Sequence, residues 1–149
     1  MKIYLGTDHA GLDLKEYIKK FLQEEMNYDV EDKGALTFNA LDDYPDYIMP
    51  VAQAVAKDRL EGQESFGIIF GKTGQGEAMV ANRTKGVRCA VYYGGPMDVI
   101  TLSRTHNDAN MLALGGRFLS DLDAKAAVNT WLSTSFLGDE RHVRRLSKF

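Results

Sequence analysis

Two hydrophobic periods alternate along this chain, and that alternation leaves few folds open. Ile3 to Leu5, Val30, Phe66 to Phe70, Val87 to Tyr92 and Met111 to Leu114 are short, mostly apolar stretches, several ending at glycine or a polar loop, as buried strands do. Between them the spacing changes. Leu14, Tyr17, Ile18, Phe21 and Leu22 recur at helical intervals, as do Ala124, Ala127, Val128, Trp131 and Leu132, so each set makes one apolar helix face. Weaker helical patterns cover Asp46 to Leu60, Glu77 to Thr84 and Met97 to Thr105. Strands alternating with helices predict an α/β fold of three αβα layers around a five-stranded parallel sheet. With 149 residues, 44% of them hydrophobic, residues 1–149 are expected to form a single domain with one core region.

The formal net charge of −3 argues against a general affinity for nucleic acid or for an anionic membrane. Arg141, His142, Arg144, Arg145 and Lys148 make a basic tail, but without interleaved aromatic residues it does not read as a nucleic-acid surface. The opening residues reach Gly6 too soon for a secretion signal, and no apolar stretch is long enough to span a bilayer. Cys89 is the only cysteine, which precludes an internal disulfide and suits a reducing compartment, so the expected location is the cytoplasm. Small-molecule partners are expected.

In an open parallel sheet, ligands bind beyond the carboxyl ends of the strands. The loops expected there are Thr7-Asp8-His9-Ala10-Gly11, the glycine loop at 71–76, Tyr93-Gly94-Gly95-Pro96 and Gly115-Gly116-Arg117. The glycine loop sits in "FGKTGQGEAM" and fails both nucleotide patterns. A P-loop needs glycine at position 66, which is Phe66, and a dinucleotide fingerprint needs a small residue at position 79, which is Met79. What remains is a run of small residues entering a helix, with Glu77 in its first turn. Taken singly, each residue has an ordinary structural explanation: glycines form turns, Glu77 suits the positive end of a helix dipole, Asp8 can cap a helix, and His9 or His106 can simply be hydrogen-bonded.

The combination is more specific. "GTDHAG" at the start, "DDYPDY" at 42–47, the glycine loop followed by Ala81-Asn82-Arg83-Thr84-Lys85-Gly86-Val87-Arg88, "SRTHNDANMLALGGR" at 103–117 and "ERHVRRLSKF" at the end occur in register. Across essentially the whole chain they resemble the ribose-5-phosphate isomerase B family, which includes galactose-6-phosphate isomerase subunits. The resemblance implies a Rossmann-like αβα fold and an aldose–ketose isomerisation of a phosphorylated sugar through an enediolate, with no metal or other cofactor. Many members carry a cysteine base at the position held here by Gly71. A second branch instead has a glutamate directly after the glycine loop, and Gly74-Gln75-Gly76-Glu77 resembles that version, which makes Glu77 the expected base.

An ionised carboxylate needs no activating partner, and its weakness as a base would be offset by amides of Gly74, Gln75 and Gly76 around the enediolate oxygen. Asn107 is the expected side-chain donor to that oxygen, and Thr73 the partner of a substrate hydroxyl. By resemblance, His106 and Asp8 open the sugar ring, while Arg117, Arg141, Arg145 and His9 bind the phosphate. The resemblance further implies a homodimer with shared active sites, the C-terminal helix at about 139–149 packing on the partner; association into a tetramer stays open. Lys72 stands where relatives usually have a small residue, so ribose 5-phosphate, a tetrose phosphate and a hexose 6-phosphate such as allose or galactose 6-phosphate all remain candidate substrates. A non-catalytic sugar-phosphate-binding subunit is the alternative of a different class.

Overall fold

A computed structural model describes all 149 residues. Five strands, β1 (Lys2–Thr7), β2 (Asp29–Asp32), β3 (Ser65–Gly71), β4 (Cys89–Tyr92) and β5 (Met111–Gly115), form one sheet in the order β2-β1-β3-β5-β4. Every neighbouring pair is parallel. Parallel neighbours cannot be joined by a tight turn, so each connection must cross a face of the sheet. The crossings carry α1 (Leu12–Lys20), α2 (Tyr44–Leu60), α3 (Gln75–Ala81) and α4 (Asp98–Thr105), and α5 (Asp121–Ser133) and α6 (Glu140–Leu146) follow β5. The expected α/β architecture is therefore present, with all five strands in the expected segments.

Successive residues of a strand face opposite sides, and the core divides accordingly. Ile3, Leu5, Ile68, Phe70, Leu112 and Leu114 point to the side covered by α1, α4 and α5, where Trp131 is fully buried against Phe66. Tyr4, Ile69, Met111 and Ala113 point to the side covered by α2 and α3. Both faces of β3 are needed for the core, so all seven of its residues are buried and from Phe66 onward its sequence is a continuous run of apolar residues and glycine instead of an alternation.

Helix ends depart from the periodic pattern for local reasons. α2 begins at Tyr44, two residues before Asp46, because Pro45 suits a first turn where its missing N–H is not needed. α3 stops at Ala81, short of Thr84. Asn82 then uses its side chain as a strand would use its backbone, accepting from Cys89 N at 2.8 Å and donating to Cys89 O at 3.0 Å. After α1 the chain makes a π-helical turn at Phe21–Glu25, which keeps Phe21 and Leu22 buried on the α1 face.

One buried ion holds the segment that leads from β2 to α2. Lys15 on α1 is fully buried, and its ammonium donates to Asp32 Oδ2 at 2.7 Å and to the carbonyls of Gly34 and Ala35, both at 2.8 Å. Burial alone would raise the Asp32 pKa, but the hydrogen bonds from Lys15, Lys19 and the Gly34 N–H outweigh it and hold the carboxyl below its ordinary value. Lys15→Ala is expected to cost roughly 3–5 kcal/mol in urea unfolding, because it leaves two carbonyls without their buried donor and the partly buried Asp32 carboxylate with only Lys19 and the Gly34 amide. Lys15→Met, which keeps the packing volume but not the charge, is expected to cost a similar amount; an unchanged midpoint in both variants would show that this pairing contributes nothing.

Candidate active site

The topology fixes where a ligand fits. From β1 the chain moves outward to β2, and from β3 it moves to the opposite edge, so the order reverses between β1 and β3. Loops leaving two such strands separate in opposite directions and leave a crevice at their carboxyl ends. Asp8 and His9 follow β1, and the glycine loop follows β3, in register at Thr7 and Phe70. The loop after β5 joins them: Gly116 N–H donates to Gly71 O at 2.9 Å and Arg117 N–H to Lys72 O at 3.1 Å.

Glycine governs the shape of this crevice at two points. Gly74 caps α3 with φ +76°, a left-handed conformation that residues with a Cβ rarely adopt. At Gly71 the reason is space: a Cβ built there would overlap the carboxylate of Glu77, which folds back from the first turn of α3 beneath the end of β3. Glu77 is only 5% exposed. Burial raises its pKa above the ordinary carboxylate value, its own backbone amide opposes that shift, and the neighbouring Asp8 carboxylate adds to it. A carboxylate with a raised pKa is a stronger base than one in water, so the chemistry expected from the residue type is reinforced by its surroundings.

The other groups at this end are held by short-range bonds. Asp8 caps the 3₁₀ turn at His9–Gly11 by accepting from Ala10 N–H at 3.0 Å, and is itself buried. The Thr73 hydroxyl accepts from Gln75 N–H at 3.3 Å, while the amides of Gly74 and Gly76 have no acceptor within the chain. Tyr44, the first residue of α2, lies close enough to Gly76 that a Cβ there would meet its ring Cζ and Oη at 2.9 Å. Asp42 bonds both the backbone and the ring of His9. Neither Asp42 nor Tyr44 was singled out by the sequence reading, although both lie in its "DDYPDY" block. Asp8, His9 and Asp42 bring oxygen and nitrogen atoms within 4.8 Å of one another, but the His9–Asp42 hydrogen bond accounts for that approach without a metal ion.

His106, Asn107, Arg141 and Arg145 are elsewhere. α4 runs back from the carboxyl end of β4, so His106 at its C-terminus lies at the amino end of the sheet, just before β5. The length of β5 alone, roughly 13 Å at about 3.3 Å per step, separates that end from the glycine loop. Within one chain, therefore, His106 does not meet Asp8. His106 stacks instead on His142 of α6, ring centroids 4.2 Å apart and planes 14° from parallel. Burial, then the neighbouring His106 and Arg141, push the His142 pKa down, which favours a neutral ring in the stack. Arg141 donates to His142 Nε2 at 3.3 Å, and Arg145 is exposed one turn further along α6.

A network of arginines fixes this second group. Asp108, in a left-handed conformation at φ +44°, accepts from Arg88 at 2.5 Å, Arg104 at 3.2 Å and Arg59 at 3.4 Å. Arg88 Nε also donates to Asn107 O at 3.1 Å. The 106–108 turn is thereby tied to the ends of α2 and α4. Asn107 stands at the rim of a cavity of about 430 Å³ that also touches Asn82, Arg88, Cys89 and Phe149. Cys89 packs in this region with its thiol pKa pushed far up by burial, which agrees with a packing role.

The chain thus carries two clusters at opposite ends of its sheet, Asp8, His9, Thr73, the 74–76 amides, Glu77 and Arg117 at one and His106, Asn107, Arg141 and Arg145 at the other. Known proteins resemble this chain over nearly its full length. A family profile described as ribose/galactose isomerase matches residues 3–149. Ribose-5-phosphate isomerase B of Mycobacterium tuberculosis is 36% identical over 146 residues, covering 98% of this chain and 86% of its own. The crystal structure of ribose-5-phosphate isomerase B from Mycoplasma genitalium with bound ribulose-5-phosphate is 37% identical, with a TM-score of 0.90 over 99% of this chain and 92% of that one. The Clostridium thermocellum ribose-5-phosphate isomerase B structure is 40% identical with a TM-score of 0.89, covering 99% and 94%. Sequence and fold similarity together make this chain an isomerase and a member of the ribose/galactose isomerase family.

Proposed function

We propose that this isomerase interconverts ribose 5-phosphate and ribulose 5-phosphate, with Glu77 as the base that carries a proton between C2 and C1. The observation behind this reading is the Glu77 carboxylate itself, buried at the crevice in the space left by the missing Cβ of Gly71. Relatives matched over 86% and 92% of their own length support the same reading: they are ribose-5-phosphate isomerases, one of them seen with ribulose-5-phosphate bound. In the proposed sequence Glu77 removes the C2 proton of the open-chain aldose, the amides of Gly74, Gln75 and Gly76 and the Asn107 side chain stabilise the enediolate oxygen, the hydroxyl proton on O2 passes to O1, and the carbon-bound proton returns to C1. Thr73 bonds a substrate hydroxyl. His106 and Asp8 open the ring by giving a proton to the ring oxygen and taking one from the anomeric hydroxyl, and His9, Arg117, Arg141 and Arg145 bind the phosphate.

Because the two clusters lie at opposite ends of the sheet, this scheme needs a second copy of the chain, turned so that His106, Asn107, Arg141 and Arg145 of one face Glu77 of the other. A homodimer with two shared sites satisfies it. Val143 and Phe149, 49% and 84% exposed on and after α6, offer apolar surface for that contact while His142 anchors the helix to its own chain. Lys72 supports a second reading within the same chemistry, a tetrose phosphate or hexose 6-phosphate as preferred substrate, since it adds an exposed cation beside His9. A non-catalytic binding subunit is disfavoured, because a binder gains nothing from a buried carboxylate that burial makes costly to ionise.

Proton NMR in deuterated water tests the base: exchange at C2 of ribose 5-phosphate is expected to be rapid and to fall at least about a thousandfold in Glu77→Gln. Silence of the wild-type protein with tetrose, pentose and hexose phosphates alike would overturn the assignment. The pKa of Glu77 gives a second expectation. A carboxyl raised on folding favours the folded state below its unfolded value, and that favour is lost as pH rises through the folded value. Glu77→Gln is therefore expected to melt no lower, and preferably higher, than wild type at pH 7, with the difference vanishing near pH 4; a lower melting temperature at pH 7 would contradict the buried charge. Finally, Glu77→Gln and His106→Ala, each inactive alone, are expected to recover about a quarter of wild-type activity when unfolded, mixed equally and refolded, since half the dimers would then hold one intact site. No recovery would mean that each site is built within a single chain.

A further inference from the structure

Resting on that reading of the site, we propose that Asp42 is a positioning residue that holds the His9 imidazole by Nδ1, leaving Nε2 as the nitrogen that meets the anionic end of the substrate. Asp42 grips His9 twice. Its carboxylate lies 2.5 Å from His9 Nδ1, and both of its oxygens accept from the His9 backbone N–H, at 3.2 and 3.1 Å. The Asp42 side chain is 4% exposed and that of His9 is 30% exposed, so the carboxylate forms the floor and the ring the surface. An ionised carboxylate can only accept, which requires the proton on Nδ1 and fixes the tautomer. Phe38 stands T-shaped to the ring, centroids 5.6 Å apart, and adds an apolar contact on one side of it.

The support for Asp42 comes from far off in the chain. Asp42 N–H donates to Asn39 O at 3.1 Å, closing a turn in the segment whose start is pinned by Lys15 through Gly34 and Ala35. Its own position is the second residue before α2, so the carboxylate is held between a clamped loop and a helix start. The charged groups facing His9 are Asp42, Asp8 and Lys72. The Asp42 bond raises the His9 pKa most, burial opposes it, Asp8 adds to it and Lys72 subtracts. The ring therefore stays cationic to a higher pH than a free histidine would, and binding of a phosphate dianion is kept until the pH passes that raised value.

Imidazole nitrogen–proton correlation spectra of the free protein from pH 5 to 9 decide the first half without substrate. Nδ1 is expected to remain protonated throughout while Nε2 titrates, above the ordinary histidine value in wild type and closer to it in Asp42→Asn, an isosteric variant that removes the charge. Kinetics decide the second half. In Asp42→Asn, KM for ribose 5-phosphate is expected to rise about tenfold at pH 7.5 with kcat within about twofold, and the rise of KM with pH to begin earlier. Adding Asp42→Asn to His9→Ala is expected to change nothing further. Wild-type spectra with the proton on Nε2 and none on Nδ1 at high pH would overturn the proposal even if the variant failed to fold. So would an unchanged His9 titration in Asp42→Asn, or a KM effect that adds to that of His9→Ala. If no sugar phosphate is turned over, the spectra still test the Asp42–His9 pairing, so failure of the isomerase reading is told apart from failure of this one.

Discussion

Strand direction is the constraint on which this molecule's chemistry depends. All five strands point the same way, so every loop that leaves a strand collects at one end of the sheet and every loop that enters one collects at the other. Asp8, the glycine loop and Arg117 leave strands, whereas His106 and Asn107 enter one. No rearrangement of side chains can bring the two groups together within one copy. β3 and β5 are buried along their whole length, so the strands that end and begin at these two clusters are held by packing on either face.

Much of the fold was legible in the sequence because the two hydrophobic periods report burial directly. β3, with seven buried residues, and α5, with Ala124, Ala127, Val128 and Trp131 on its inner face, fall where the pattern puts them. Boundaries were less legible. They depend on single interactions that periodicity does not carry, such as Pro45 at the start of α2 and the Asn82 side chain bonding Cys89. The sequence blocks likewise marked Asp8, Glu77 and His106, but not the direction in which each faces. That His106 stacks on His142, and not on anything near Asp8 of its own chain, follows from α4 running antiparallel to the sheet, a three-dimensional fact with no local signal.

Asp42 and Lys15 were missed for a related reason. Each reads as an ordinary surface charge in a polar stretch, yet Lys15 is fully buried and the Asp42 side chain nearly so. Their partners are backbone carbonyls and amides of residues far off in sequence, Gly34 and Ala35 for one and His9 for the other. Side-chain bonds to distant backbone leave no pattern in composition, and they are the means by which a loop without regular structure becomes a firm support for a site.

The overlap between a Cβ at position 71 and the Glu77 carboxylate also limits how such a site can change over time. A side chain at 71 and the Glu77 carboxylate compete for one volume, so any residue larger than glycine at 71 requires that carboxylate to swing out of its buried position. Positions 71 and 77 are thus expected to change together over time, because the packing of one sets the space open to the other.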